Sequence, residues 1–68
     1  MIIILNGENR DIDNNTTVAQ LLQSLKLTNK RLAVEINQQI LNRSDFNSYK
    51  FNALDKVEIV QAIGGGSL

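Results

Sequence analysis

The chain has 68 residues, enough for one small domain whose core buries about 60% of the surface that the unfolded chain exposes. Hydrophobic residues make up 43% and charged residues 21%, a composition that excludes a disordered chain. Seven Lys and Arg balance seven Asp and Glu, and without a positive surplus nucleic acid is not expected as the main partner.

The chain contains no Cys and no His. Disulfides, thiolate nucleophiles, Cys/His zinc sites and Ser-His or Cys-His pairs are therefore excluded. The acidic residues have no metal-loop or acid/base spacing, so all seven are expected to be solvated surface charges. The apolar run Met1 to Leu5 is too short for a membrane span or a signal peptide, which predicts a soluble cytoplasmic protein. Without Cys or His, side-chain catalysis is not expected, and the protein is predicted not to be an enzyme itself.

The first third of the chain predicts a hairpin and a helix. Ile2 to Leu5 is an interior strand, Asn6-Gly7 is a hairpin turn, and the polar segment Glu8 to Asp13 returns as an edge strand. Thr17 and Gln20 then form a capping box. Apolar residues at helical spacing follow and are expected to face the core: Val18, Leu21, Leu22 and Leu25.

The rest of the chain predicts three more strands. Leu32 to Asn37 alternates with period two, Ile40-Leu41 is a short strand after a turn, and Val57 to Ile63 is the last strand. Between them residues 42–51 show no period. That segment holds the three aromatic residues, which are expected to anchor it to the core: Phe46, Tyr49 and Phe51.

This order of elements predicts an α+β domain over residues 1–63, with a flexible glycine-rich tail at residues 64–68. The sheet is mixed and has four to five strands, with one main helix packed on one face. Because hairpins occupy both ends, the first and last strands can pair in parallel at its centre.

One helix cannot cover both faces of this sheet. If Ile3, Val34 and Val57 face the helix, period two places a second apolar set on the other face. We interpret this set as a partner-docking patch beside the tail, the alternatives being cover by loops or by a second copy. Its members are Ile2, Ile4, Ala33, Val60 and Ala62.

The tail allows two interpretations. Gly64, Gly65 and Gly66 have no side chains to pack, as in a frayed terminus. The same property would let the segment thread through a narrow channel and carry a terminal carboxylate into a partner's active site.

Five stretches together resemble a known family: residues 2–7, 17–22, 32–40, 43–46 and 55–66. The chain is similar to the ThiS-type sulfur carriers of thiamine biosynthesis, within the ubiquitin-like β-grasp family. The resemblance implies that Gly66 is the modified residue, with Gly64 and Gly65 as the threading segment. It implies no bound cofactor, since ATP and Mg are used by the adenylating partner.

The resemblance also implies three partners. A ThiF-type, E1-like adenylyltransferase would convert the glycine carboxylate into an acyl-adenylate, and sulfur from a desulfurase system would replace AMP. The resulting thiocarboxylate would donate its sulfur to a ThiG-type thiazole synthase. No nucleic acid and no membrane is implied.

Ser67 and Leu68 depart from the family pattern, because they follow the glycine that should carry the free carboxylate. Either a protease removes them or they were added in cloning, and Gly66 is expected to react only once they are gone. Two other functions remain open: a sulfur carrier for molybdopterin or for tRNA or metabolite thiolation, and a non-catalytic β-grasp interaction module. The compact length and the turn at residues 37–40 favour the thiamine type.

Overall fold

The computed structural model describes residues 1–28 and 31–61. Within these ranges the elements are β1 (Ile2–Leu5), β2 (Glu8–Asp11), α1 (Val18–Ser24), β3 (Leu32–Ile36), β4 (Gln39–Leu41) and β5 (Lys56–Gln61). A short 3₁₀ helix, Arg43–Asp45, lies between β4 and β5. The strands form one sheet in the order β2-β1-β5-β3-β4. The predicted mixed sheet is confirmed, with five strands.

The central strand β5 lies parallel to β1 and antiparallel to β3, as the two terminal hairpins allow. Beyond the end of β1 the Asn6 side chain continues the pairing, because its Oδ1 accepts a hydrogen bond from the backbone N–H of Ile59 at 2.9 Å. The β2 strand is fully exposed and lies at the edge, as predicted.

Two-residue turns close both hairpins. Asn6 and Gly7 have φ of 48° and 84°, and Asn37 and Gln38 have φ of 52° and 72°. Positive φ at both central positions is what a type I′ turn requires. The second turn is one residue shorter than predicted, since Gln39 already pairs with Ile36.

The predicted capping box begins α1. Thr17 Oγ1 accepts a hydrogen bond from the Gln20 N–H at 3.1 Å, and Gln20 Oε1 accepts one from the Thr17 N–H at 2.9 Å. The two remaining first-turn donors bond to the irregular segment 42–51: the Val18 N–H donates to the Tyr49 carbonyl and the Ala19 N–H to the Phe46 carbonyl. This segment therefore completes the cap, which satisfies N–H groups that a helix leaves unpaired.

Helix and sheet enclose one small core. Leu25 is only partly buried, because the helix ends at Ser24. Tyr49 is also partly buried and packs edge-on against Phe51, with ring centroids 5.8 Å apart. The aromatic anchors are thus found where they were expected. The buried apolar side chains are Ile3, Val18, Leu21, Leu22, Val34, Ile36, Phe46, Phe51 and Val57.

Candidate docking surface at the end of the central strand

The central strand is the last described element before the predicted tail in the sequence. Its last residue is Gln61, which pairs with Leu32 of β3. Several predicted residues lie outside the described ones. They are Ala62 of the predicted patch, the threading residues Gly64 and Gly65, the reactive Gly66, and Ser67 and Leu68 after it.

The alternation of the strands places the predicted patch on the sheet face opposite α1. Ile3, Val34 and Val57 are at most 1% exposed on the helix side. Their neighbours therefore point to the other side, since successive side chains of a strand alternate. On that open face Ile2 is 36% and Val60 57% exposed, Ala33 is exposed, and Ile4 is partly buried.

The register divides the patch into two groups. Val60 pairs with Ala33 near the end of β5. Ile2 and Ile4 lie beside the start of the same strand, because Ile4 pairs with Lys56. The structure thus brings Val60 and Ala33 into contact range but separates them from the two isoleucines of β1.

Two exposed apolar residues extend these groups and were missed in the sequence. Leu54 is 66% exposed beside β1, with its N–H donating to the Ile2 carbonyl at 2.6 Å, and Ile40 is 72% exposed on β4. Ile40 pairs with Glu35, which in turn pairs with Glu58 of β5. The signal for Ile40 was available: a two-residue turn at Asn37-Gln38 places it opposite Glu35 and hence on the open face.

Asp55, which immediately precedes β5, is buried, contrary to the expectation from the sequence. It was expected to be a solvated surface charge, but it is only 6% exposed. Its carboxylate accepts hydrogen bonds from the Asn37 amide at 3.1 Å, the Tyr49 hydroxyl at 2.9 Å and the Asn52 N–H at 2.9 Å. A buried carboxylate is tolerated when hydrogen-bonded in this way. Tyr49 and Asn52 are near Asp55 in the sequence, but Asn37 is 18 residues away, so the complete set of partners is not visible in a local pattern.

The cluster formed by Asp55 and its three hydrogen-bond partners also changes the pKa of Tyr49. Burial raises the pKa of the Tyr49 hydroxyl, and its hydrogen bond to Asp55 and the charge of that carboxylate raise the pKa further. Asn37 also accepts the Lys56 N–H through its Oδ1 at 3.1 Å. The cluster therefore connects the β3–β4 turn and the 42–51 segment to the first residue of the central strand.

An open polar cleft of about 610 Å³ lies between the residues after β2 and one side of α1, lined among others by Arg10, Asp13, Gln20 and Ser24. None of the predicted site residues lines it. Among residues 1–28 and 31–61, no group of three acidic side chains is placed to hold a metal ion. In the same ranges, the helix is too short and too polar to cross a bilayer.

Comparison with known proteins gives consistent matches over this fold. The model of the ThiS family matches residues 3–66. The sulfur carrier protein ThiS of Bacillus subtilis is 35% identical over 63 residues, which cover 91% of this chain and 96% of that protein. The crystal structure of the thiamine biosynthesis protein ThiS from Geobacter metallireducens superposes with a TM-score of 0.81 at 30% identity, covering 97% of this chain and all of that one.

Longer relatives also contain this domain. A thiazole synthase of Paramagnetospirillum magneticum is 40% identical over 67 residues, which are 98% of this chain and 21% of that protein. The chain therefore spans about a fifth of the length of the thiazole synthases that it matches. The structural match shows the ThiS-like β-grasp fold that the sequence resemblance implied.

Proposed function

This chain belongs to the ThiS family of sulfur carrier proteins of thiamine biosynthesis, and from that membership we propose that Gly66 is the residue that carries the sulfur. The observation that carries the proposal is the extent of the family match, which begins at Ile3, includes every later element of the fold and ends at Gly66. Ser67 and Leu68 lie beyond the matched region.

The chemistry follows from the weakness of a carboxylate as an electrophile. An adenylyltransferase of the ThiF type uses Mg-ATP to join the Gly66 carboxylate to AMP with loss of pyrophosphate, which makes AMP the leaving group. Charge that develops on the phosphates is stabilised by Mg and by cationic groups of that enzyme. This chain binds no cofactor in the scheme and supplies the reacting carboxylate.

Sulfur enters at the acyl carbon. The terminal sulfur of a persulfide, formed by a desulfurase system, attacks that carbon and AMP leaves. A thiol then reduces the S–S bond, and the glycine thiocarboxylate remains. A thiazole synthase of the ThiG type accepts this sulfur for the thiazole ring. The presence of a domain like this chain within longer thiazole synthases supports that partner.

The fold serves as a handle for the tail. Gly64, Gly65 and Gly66 carry no side chains, and a segment without Cβ atoms fits a narrow channel. The open sheet face beside β5 provides apolar area for docking, and its exposed members Val60 and Ala33 lie near the end of β5, the strand that precedes the tail in the sequence.

Intact-mass spectrometry tests the proposal. A chain ending at Gly66 is incubated with ATP, Mg, a ThiF-type enzyme and sulfide, and its mass should rise by the difference between sulfur and oxygen. The full 68-residue chain is the matched control and should stay unchanged, as should a reaction without ATP. A thiocarboxylate on the full chain would refute the need to remove Ser67 and Leu68.

If the Gly66-ended chain shows no change in mass, the carrier function itself is contradicted. The mass of the protein purified from its own cell adds an independent result, because it shows where the chain ends and whether sulfur is attached. A thiocarboxylate formed by this chain but not accepted by the thiazole synthase would favour a carrier for another thiolation pathway.

A further inference from the structure

Asn6 takes part in the β1–β2 turn and in the pairing of the central strand at the same time. Its backbone, with φ of 48°, forms the first central position of the turn. Its N–H donates to the Val57 carbonyl at 2.8 Å, and its Oδ1 accepts the Ile59 N–H at 2.9 Å. A residue of a parallel strand makes two such bonds, one through its N–H and one through its backbone carbonyl. Asn6 makes both around Glu58, with the side-chain carbonyl in place of the backbone carbonyl.

The central strand extends beyond the strand that pairs with it on this side. β1 ends at Leu5, which pairs with Val57, whereas β5 continues to Gln61. The Asn6 side chain supplies Ile59 with the acceptor that a longer β1 would provide. Ile59 packs against the core, whereas the two described residues after it are exposed. The Asn6 side chain therefore fixes β5 at the position where the strand leaves the core.

We propose that Asn6 is a positioning residue for the activation of Gly66, because its side chain sets the length of chain between the fixed part of β5 and the reacting carboxylate. This inference rests on the proposed function. Gly66 is five residues beyond Gln61 and nine residues beyond Val57. The entropic cost of holding both ends of a segment grows with its length. Release of β5 back to Val57 would therefore weaken capture of the tail by an enzyme about 2.5-fold.

Two substitutions at Asn6 separate the side-chain acceptor from the turn. Asn6→Gly removes the acceptor and Asn6→Asp keeps one, and both Gly-Gly and Asp-Gly suit a type I′ turn. Amide hydrogen exchange of the 68-residue chain, followed by NMR, measures how firmly β5 is held. The Ile59 N–H should exchange about tenfold faster in Asn6→Gly and near the wild-type rate in Asn6→Asp. The Leu21 N–H, bonded to the Thr17 carbonyl at the start of α1, is the internal reference and should not change.

Kinetics of the same variants, on chains ending at Gly66, test the consequence for activation. The assay is ATP–pyrophosphate exchange with the ThiF-type enzyme of the same organism. In Asn6→Gly the KM for the carrier should rise about 2.5-fold with kcat unchanged, because the longer segment must be ordered on binding and reacts normally once bound. Asn6→Asp should restore the wild-type KM. A loss of stability alone would not divide the effect between KM and kcat in this way, since the chain stays folded in the assay.

The matched control is Gly7→Ala, which strains the same turn at φ of 84° but leaves the Asn6 acceptor in place. It should keep the wild-type KM. Three results would overturn the role of Asn6 while leaving the carrier function intact: a wild-type KM or unchanged Ile59 exchange in Asn6→Gly, an equal rise of KM in Gly7→Ala, or an Asn6→Asp chain that behaves like Asn6→Gly. Failure of the wild-type chain to support any ATP–pyrophosphate exchange would instead overturn the proposed function, and with it the positioning role.

Discussion

Asp55 connects distant parts of the chain at the entrance to the central strand. Its buried carboxylate receives three hydrogen bonds, from Asn37, Tyr49 and Asn52. Hydrogen bonds to an ionised group are stronger than neutral ones, and removing the acceptor leaves three partly buried donors unpaired. The position of β5, and so the direction in which the chain leaves the fold, depends on this cluster.

We expect Asp55→Ala to lower the free energy of unfolding by about 3 kcal/mol, because three donors lose their acceptor. Asp13→Ala, at an exposed carboxylate, is the matched control and should change it by less than about 0.5 kcal/mol. Urea denaturation monitored by circular dichroism measures both. Equal effects of the two substitutions would show that the Asp55 cluster does not stabilise the fold.

Tyr49 makes the stability depend on pH in the alkaline range. Its pKa is raised in the folded protein, first by burial and then by Asp55, so the unfolded chain releases this proton at lower pH than the folded one. The contribution of Tyr49 is fully present below the unfolded pKa of about 10 and is lost as pH rises through the folded pKa. Urea unfolding of wild type and Tyr49→Phe from pH 8 to 11 should show a decline that is steeper in wild type. Parallel curves would contradict the role of Tyr49.

The two hairpin turns share one backbone geometry but have different residues at the second central position. Gly7 and Gln38 occupy the second central position of their turns, at φ of 84° and 72°. A left-handed conformation costs a residue with a Cβ about 1–2 kcal/mol, and glycine avoids most of that strain. At the second central position, the backbone of the β3–β4 turn is therefore strained, whereas that of the β1–β2 turn is not.

Gln38→Gly should consequently raise the free energy of unfolding by about 0.5–1 kcal/mol, since relief of strain exceeds the added chain entropy. Gly7→Ala is the reciprocal substitution and should lower it by about 1 kcal/mol. Its Cβ would meet no atom within 4 Å, so the loss reports backbone strain alone. Chemical denaturation measures both. A loss of stability in Gln38→Gly would contradict the assignment of strain to this turn.

At the scale of the whole molecule, the one helix within residues 1–28 and 31–61 covers one face of the sheet, and the other face is left open. Among the residues that the structure describes, nine apolar side chains are buried in the core on the helix side. Ile2, Ile40, Leu54 and Val60 remain exposed, all on or beside the open face. A domain this small cannot bury both faces with a single helix, so an open face with exposed apolar residues follows directly from its architecture.

Val60→Asp tests the role of the open face. Because Val60 is 57% exposed, the variant should fold with a thermal midpoint close to wild type. Its adenylation rate at subsaturating carrier should fall about tenfold, since a carboxylate would be desolvated in the interface. Gln23→Asp on the exposed side of α1 adds the same charge and should react normally. A normally folded Val60→Asp chain that reacts at the wild-type rate would exclude this face as the docking surface.

The sequence alone determined the elements and their faces. The β1–β2 hairpin, the Thr17–Gln20 capping box and the alternation that buries Ile3, Val34 and Val57 were all predicted and are confirmed. Each of these features depends on residues a few positions apart, whose propensities and periodicity act locally. The placement of β5 beside β1 was also predicted, because the hairpins at both ends leave the centre of the sheet for the terminal strands.

Only the tertiary structure decided what depends on register and on distant partners. The burial of Asp55, the completion of the helix cap by residues 42–51 and the opposition of Glu35 and Glu58 each join segments far apart in the chain. A shift of one residue between β3 and β5 would preserve every local pattern and separate that pair. Local sequence carries no record of such register, because it is determined by the packing of the whole core.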